Sequence, residues 1–107
     1  KTDAEAQELI AAAQALQEAG AFAIVLEVIV PELAKKITDL LDVPTIGIGS
    51  GPDCAGQELV INDLIGLGTR PPPSFAKPRA DVATMVRDAV TAYIDDVKAP
   101  AKETGLV

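Results

Sequence analysis

The sequence predicts an α/β fold, with about three parallel strands and flanking helices, as in a partial (β/α) barrel. Three observations predict it. Helical periodicity alternates with short apolar runs, in the order helix, strand, helix, strand, strand, helix. The runs "FAIVLEVIV" (22–30) and "DVPTIGIG" (42–49) are apolar at both alternating sets of positions, which suits strands covered on both faces of a parallel sheet. The chain has 107 residues and 49% hydrophobic content, the size and composition of a single domain with its own core. Three parallel strands leave two open edges, so such a slice is expected to seek partners.

Residues 3–19 are rich in strong helix formers, and Gly20 is a helix stop. Leu9, Ala13 and Leu16 share one face of this helix, with Ile10 beside them. The run 22–30 is the first strand. Pro31 then opens a helix at a position that needs no N–H. In "PELAKKITDLL" the buried stripe is Leu33, Ile37 and Leu40, with Ala34 and Leu41 alongside. Lys35, Lys36 and Asp39 face the other way. The second strand starts at Pro44, where a missing donor is tolerated, and ends in glycines. A loop, "SGPDCAGQ", leads to "ELVIND" (58–63), the expected third strand. Residues 66–78 hold four prolines and two glycines and read as an irregular arm. A last helix covers about 80–97. Its stripe is Val82, Met85, Val86, Ala89, Tyr93 and Val97, at spacings of three and four. The tail, 98–107, shows no periodicity. No internal repeat or domain boundary is visible, so 1–107 reads as one domain.

Composition excludes several functions. The formal net charge is −7, from nine basic and sixteen acidic residues, which disfavours nucleic acid and anionic membranes. No apolar run reaches the roughly 18–20 residues of a membrane span. "KTDAEAQELI" lacks the apolar core of a signal peptide. One cysteine, Cys54, rules out an internal disulfide, and a cytoplasmic setting is expected. With no histidine, neither a histidine-based triad nor a histidine-ligated metal is available within this chain.

The candidate chemistry is sparse. Glu27 is the one ionisable residue in the run 22–30. At the C-terminal half of a barrel strand it stands where such folds place their chemistry. Burial there would raise its pKa and suit it to general acid–base work. If the strand ends sooner, it is a solvated loop residue. The stretch "GIGSG" (47–51) is the second candidate. Gly47, Gly49, Ser50 and Gly51 form a turn whose N–H groups suit an anion or a substrate carboxylate. The same glycines also suit a plain tight turn at a strand end. Asp63 either positions a substrate or caps a helix starting near Leu64, and local sequence favours the cap. Cys54 has no histidine to activate it. Lys77 and Arg79 read as solvated charges or contacts to an acidic ligand. No spacing singles out a cluster of metal ligands.

Several stretches then line up in order: "AGAFAIVLE", "PELAKKIT", "VPTIGIGSGPDCAGQELV", "NDLIGL" and "YIDDV". Together they resemble the ketopantoate hydroxymethyltransferases over nearly the whole chain. The resemblance implies a (βα)8 barrel assembled into large oligomers. It implies transfer of a hydroxymethyl group from 5,10-methylenetetrahydrofolate to 3-methyl-2-oxobutanoate, giving 2-dehydropantoate for pantothenate synthesis. A Mg²⁺ ion would polarise the keto acid, and Glu27 would stand at the position of the proton acceptor. A full barrel needs about 250 residues, so the likeness is to the C-terminal part only. The metal-binding carboxylates would lie in the missing N-terminal half, leaving no cofactor held by this chain and little activity for it alone. The chain departs from the family pattern at Ala55, Glu58 and Asn62. Glu58 would then fall inside the expected third strand. The alternative is a non-catalytic α/β scaffold, natural or engineered, that self-associates through its open sheet edges. A weaker third reading is an anion- or nucleotide-binding module built on "GIGSG".

Overall fold

Thr2 starts the first helix with a reciprocal cap. Its hydroxyl accepts the Glu5 N–H (3.2 Å), and the Glu5 carboxylate accepts the Thr2 N–H (2.9 Å). Helix α1 then runs from Asp3–Glu18, and Gly20 (φ +101°) turns the chain out of it. Strand β1 is Ile24–Glu27, α2 is Pro31–Leu40 with Pro31 in its first turn, and β2 is Thr45–Ile48. A two-residue strand β3, Gly56–Gln57, completes a parallel sheet of order β1-β2-β3. The structure, a computed structural model, describes residues 2–100. The part of the expected aperiodic tail beyond Pro100 lies outside the described residues.

The chain divides into two compact units, the first ending at Leu59 and the second beginning at Val60. The first unit holds the sheet. Register pairs Ile24 with Thr45, Val25 with Ile46, Leu26 with Gly47, and Glu27 with Ile48. Paired residues share a face, so Ile24 and Leu26 look one way and Val25 and Glu27 the other. The first face is covered. Ile24 and Leu26 pack with Ile10 and Ala13 of α1 and with Leu33, Ala34 and Ile37 of α2. Each buried Leu or Ile here contributes about 1.5–3 kcal/mol. The opposite face is not covered at β1, where Val25 is 52% exposed. The expectation of burial on both faces is therefore corrected: the strand alternates, because both helices that pack on it, α1 and α2, meet the same side.

The polar groups under the helices are satisfied. Thr45 is fully buried, and its hydroxyl lies 2.7 Å from that of Thr38. Thr38 spends its proton on the Ala34 carbonyl (2.7 Å), so Thr45 is the donor between the two hydroxyls. Thr45 in turn accepts the Ala55 N–H (3.3 Å). The Gln17 side-chain oxygen accepts the N–H groups of Asp42 (2.6 Å) and Val43 (3.0 Å), tying the end of α1 to the approach to β2.

Three further expectations change. The third strand is not 58–63. Pairing occurs earlier, at Gly56 and Gln57, and the Glu58 N–H to Gly47 carbonyl bond (3.0 Å) is its last rung. Glu58 is exposed just past that strand, so it meets no burial cost. Leu16 and Leu40, expected in the helix stripes, are 52% and 47% exposed. Both lie in the last turns of their helices.

The second unit contains α3 (Ile61–Leu64), the proline-rich arm and α4 (Val82–Lys98). The arm leaves and returns at one place. Carbonyls of Leu64, Ile65 and Gly66 accept the N–H groups of Arg79 (2.7 Å), Val82 (3.0 Å) and Ala83 (3.0 Å). Asp81 caps α4, accepting the Thr84 N–H (3.3 Å) and the Thr84 hydroxyl (2.7 Å). These bonds hold the Asp81 carboxyl below its ordinary value. Helix α4 forms where its periodicity predicts, yet buries none of its residues. Met85, Val86, Tyr93 and Val97 of the expected stripe are exposed.

Candidate active site

Glu27 ends β1 on the uncovered face, beside Ile48. Its side chain is exposed rather than buried, because β1 alternates and Glu27 shares the side of Val25. The same alternation explains an ionisable group in an apolar run. The ladder continues one residue further, with the Val28 N–H donating to the Ile48 carbonyl at 2.8 Å. Val28 adopts φ +52°, the only positive φ outside glycine among the described residues. For a β-branched residue that conformation is strained.

The turn after β2 lies directly alongside. Gly49 (φ +65°) and Gly51 (φ +80°) take left-handed conformations that favour glycine. A Cβ on Gly51 would stand 2.7 Å from the Pro31 Cβ, so the start of α2 also requires this glycine. The Gln57 side-chain amide donates to the Gly51 carbonyl at 3.0 Å. Gly47 is inside β2, paired with Leu26 and Gln57. Ser50 is 1% exposed. It donates to the Leu26 carbonyl (2.7 Å) and accepts the Ile29 N–H (3.0 Å).

The structure thus gathers Glu27, Gly47, Gly49, Ser50 and Gly51 at the C-terminal ends of two adjacent strands. Asp63 belongs to the second unit. It is the third residue of α3 rather than its cap, since the capping position is Val60 and no side chain bonds there. Helix formation began earlier than the sequence suggested, because "VIND" folds as a turn of helix, not as a strand. Asp63 lines an open cleft of about 310 Å³ within that unit, with Arg70, Asp81 and Arg87. Cys54 is a half-buried free thiol in the loop before β3. Sequence reasoning missed Val28 and the bonding role of Ser50. A β-branched residue gives no local signal for positive φ, and the partners of Ser50 lie more than twenty positions away.

Among the described residues no group of three or more His, Cys, Asp or Glu side chains is placed to hold a metal ion. The donors present do not fit the Mg²⁺ that the resemblance implies. No helix among the described residues is long and apolar enough to cross a membrane.

A family model described as ketopantoate hydroxymethyltransferase matches residues 1–101. The chain belongs to this family. The ketopantoate hydroxymethyltransferase relatives include the 3-methyl-2-oxobutanoate hydroxymethyltransferase of Syntrophotalea carbinolica, 55% identical over 98 residues, which cover 92% of this chain and 37% of that protein. The protein of the same name from Pyrobaculum islandicum is 50% identical over 106 residues, covering 96% of this chain and 40% of that one. That of Geobacter sulfurreducens is 53% identical over 98 residues, with 92% and 37% covered. The chain therefore spans about two fifths of the length of these relatives.

Proposed function

We propose that this chain is the C-terminal part of a cytoplasmic hydroxymethyltransferase that makes 2-dehydropantoate from 3-methyl-2-oxobutanoate and 5,10-methylenetetrahydrofolate, and that it is inactive without the rest of a (βα)8 barrel. One observation carries the reading. In a member of this family, the only carboxylate of β1 projects from the strand's C-terminal end, next to a glycine turn.

Glu27 acts as the base, taking the proton from the carbon beside the keto group. The C–H electron pair becomes the enolate. The methylene carbon loses its two bonds to the folate nitrogens, gains the hydroxyl oxygen from water and the new bond to the enolate carbon, and tetrahydrofolate leaves. Main-chain N–H groups of the Gly47–Gly51 turn bind the keto acid's carboxylate. These residues do not form a Mg²⁺ site, and the ligands of such an ion would come from the rest of the barrel.

The partners are that missing half and further copies of the protein. Two structural features support this. Only one edge each of β1 and β3 is paired among the described residues, and α4 presents Met85, Val86, Val90, Tyr93, Ile94 and Val97 to solvent. The same features favour the second reading, a non-catalytic scaffold that self-associates.

Complementation separates the two. This chain mixed with the N-terminal part of a family member is expected to form 2-dehydropantoate, while either piece alone does not. Glu27→Gln should lower turnover of the mixture by at least about 100-fold. The circular dichroism of the chain should not change, because Glu27 is exposed. Folded pieces that bind each other without turnover would establish the scaffold reading.

A further inference from the structure

We infer that Ser50 is the positioning residue of Glu27, holding the strained turn that follows β1 through a two-sided hydrogen-bond strap. The inference rests on the reading of Glu27 as the base. Leu26 and Ile29 flank Glu27 and Val28 in the chain. The Ser50 hydroxyl meets both flanks: it donates to the Leu26 carbonyl at 2.7 Å and accepts the Ile29 N–H at 3.0 Å. The Ile48 carbonyl, at 3.5 Å, is a weaker alternative for its single proton.

Between those flanks Val28 sits at φ +52°. A branched side chain does not hold this conformation unless its surroundings impose it. Two groups impose it here. The Val28 N–H is fixed on Ile48, and the Ile29 N–H is fixed on Ser50. The Ser50 side chain is 1% exposed, and its bond to Leu26 is buried. Removing the hydroxyl leaves the half-buried Ile29 N–H without its partner and the Leu26 carbonyl with its ladder bond alone, so the turn relaxes. Glu27 is the residue whose direction depends on that turn. The Ser50 hydroxyl is spent on the main chain and is not available to substrate.

The test has two arms. In the isolated chain, Ser50→Ala should raise the hydrogen-exchange rate of the Ile29 amide by about 10-fold or more, against unchanged amides of Leu26 and Ile46. The Val28 HN–Hα coupling should also leave its left-handed value. In the complemented enzyme, Ser50→Ala should lower kcat by about 10- to 100-fold with KM for the keto acid within twofold, as for a misplaced base. On a Glu27→Gln background it should have no further effect. Ser50→Cys, close in size with a weak donor and acceptor, should fall between serine and alanine, and it carries the test if the alanine variant does not fold. An unchanged Val28 coupling, or parental kcat in both variants, overturns the inference. Full turnover of Glu27→Gln alone would instead overturn the reading of the base. A further loss from Ser50→Ala on the Glu27→Gln background would mean that Ser50 acts through something other than the carboxylate.

Discussion

Helices α2 and α4 have the same kind of apolar stripe and opposite fates. In α2, Leu33, Ala34 and Ile37 are buried against the sheet. In α4, five of the six stripe residues that the spacing marks are large, and the four past Val82 are exposed: Met85, Val86, Tyr93 and Val97. Periodicity thus identifies a face that needs a partner, and it does not say whether the chain supplies one. The first unit supplies one because a parallel crossover must lay α2 back over the strands it connects. Among the described residues the second unit has no strand, and α4 keeps its apolar face toward solvent.

The difference is open to measurement. Ile37→Ala should destabilise the first unit by about 2–5 kcal/mol in urea unfolding, the range for emptying a packed site. Val90→Ala, on the exposed face of α4, should change stability by no more than about 0.5 kcal/mol. A cost for Val90→Ala comparable to that for Ile37→Ala would mean that α4 is covered in solution, which would break the contrast. A smaller effect sharpens it within the first unit. Gly51→Ala should cost about 1–3 kcal/mol from its left-handed backbone alone, with the collision against Pro31 added. Gly56→Ala is the control, since a Cβ there would meet only Ile46, at an ordinary 3.8 Å, and should shift stability by about 0.5 kcal/mol or less.

The smallest effect belongs to the second unit. The Asp81 carboxyl is held below its ordinary value of 3.8 by the bonds from Thr84. A lowered pKa means that the ionised form favours the folded helix start. That contribution is complete above the ordinary value and fades as pH falls through the lowered one. Amide exchange in the first turn of α4 should therefore quicken in that acid range. Asp81→Asn, also a good cap, should remove the pH dependence.

What was legible in the sequence follows from the range of the interactions involved. Gly20 and Pro31 mark real helix ends because their constraints are local. The strands β1 and β2 and their parallel pairing follow from apolar runs separated by one helix. Glu27 was visible as a lone carboxylate, and the glycines 47–51 as a turn. The third strand was misplaced because "ELVIND" carries the same apolar content whether it is extended or helical. Pairing was decided instead by Gly56 and Gln57 reaching β2. Ser50 was noticed as part of a glycine turn, but its bonds depend on bringing Leu26 and Ile29 within reach of β2. No local pattern contains that. The stripe of α4 was legible as a face, but its spacing carries no information on whether that face is covered.

The tight meeting of Gly51 with Pro31 has a mechanical consequence. The loop leaving one strand and the first turn of the helix leaving its neighbour touch with no slack, like two meshed teeth. Whatever pushes the glycine loop inward must also push the end of α2, so a molecule settling there would be felt along that helix and in the packing beneath it.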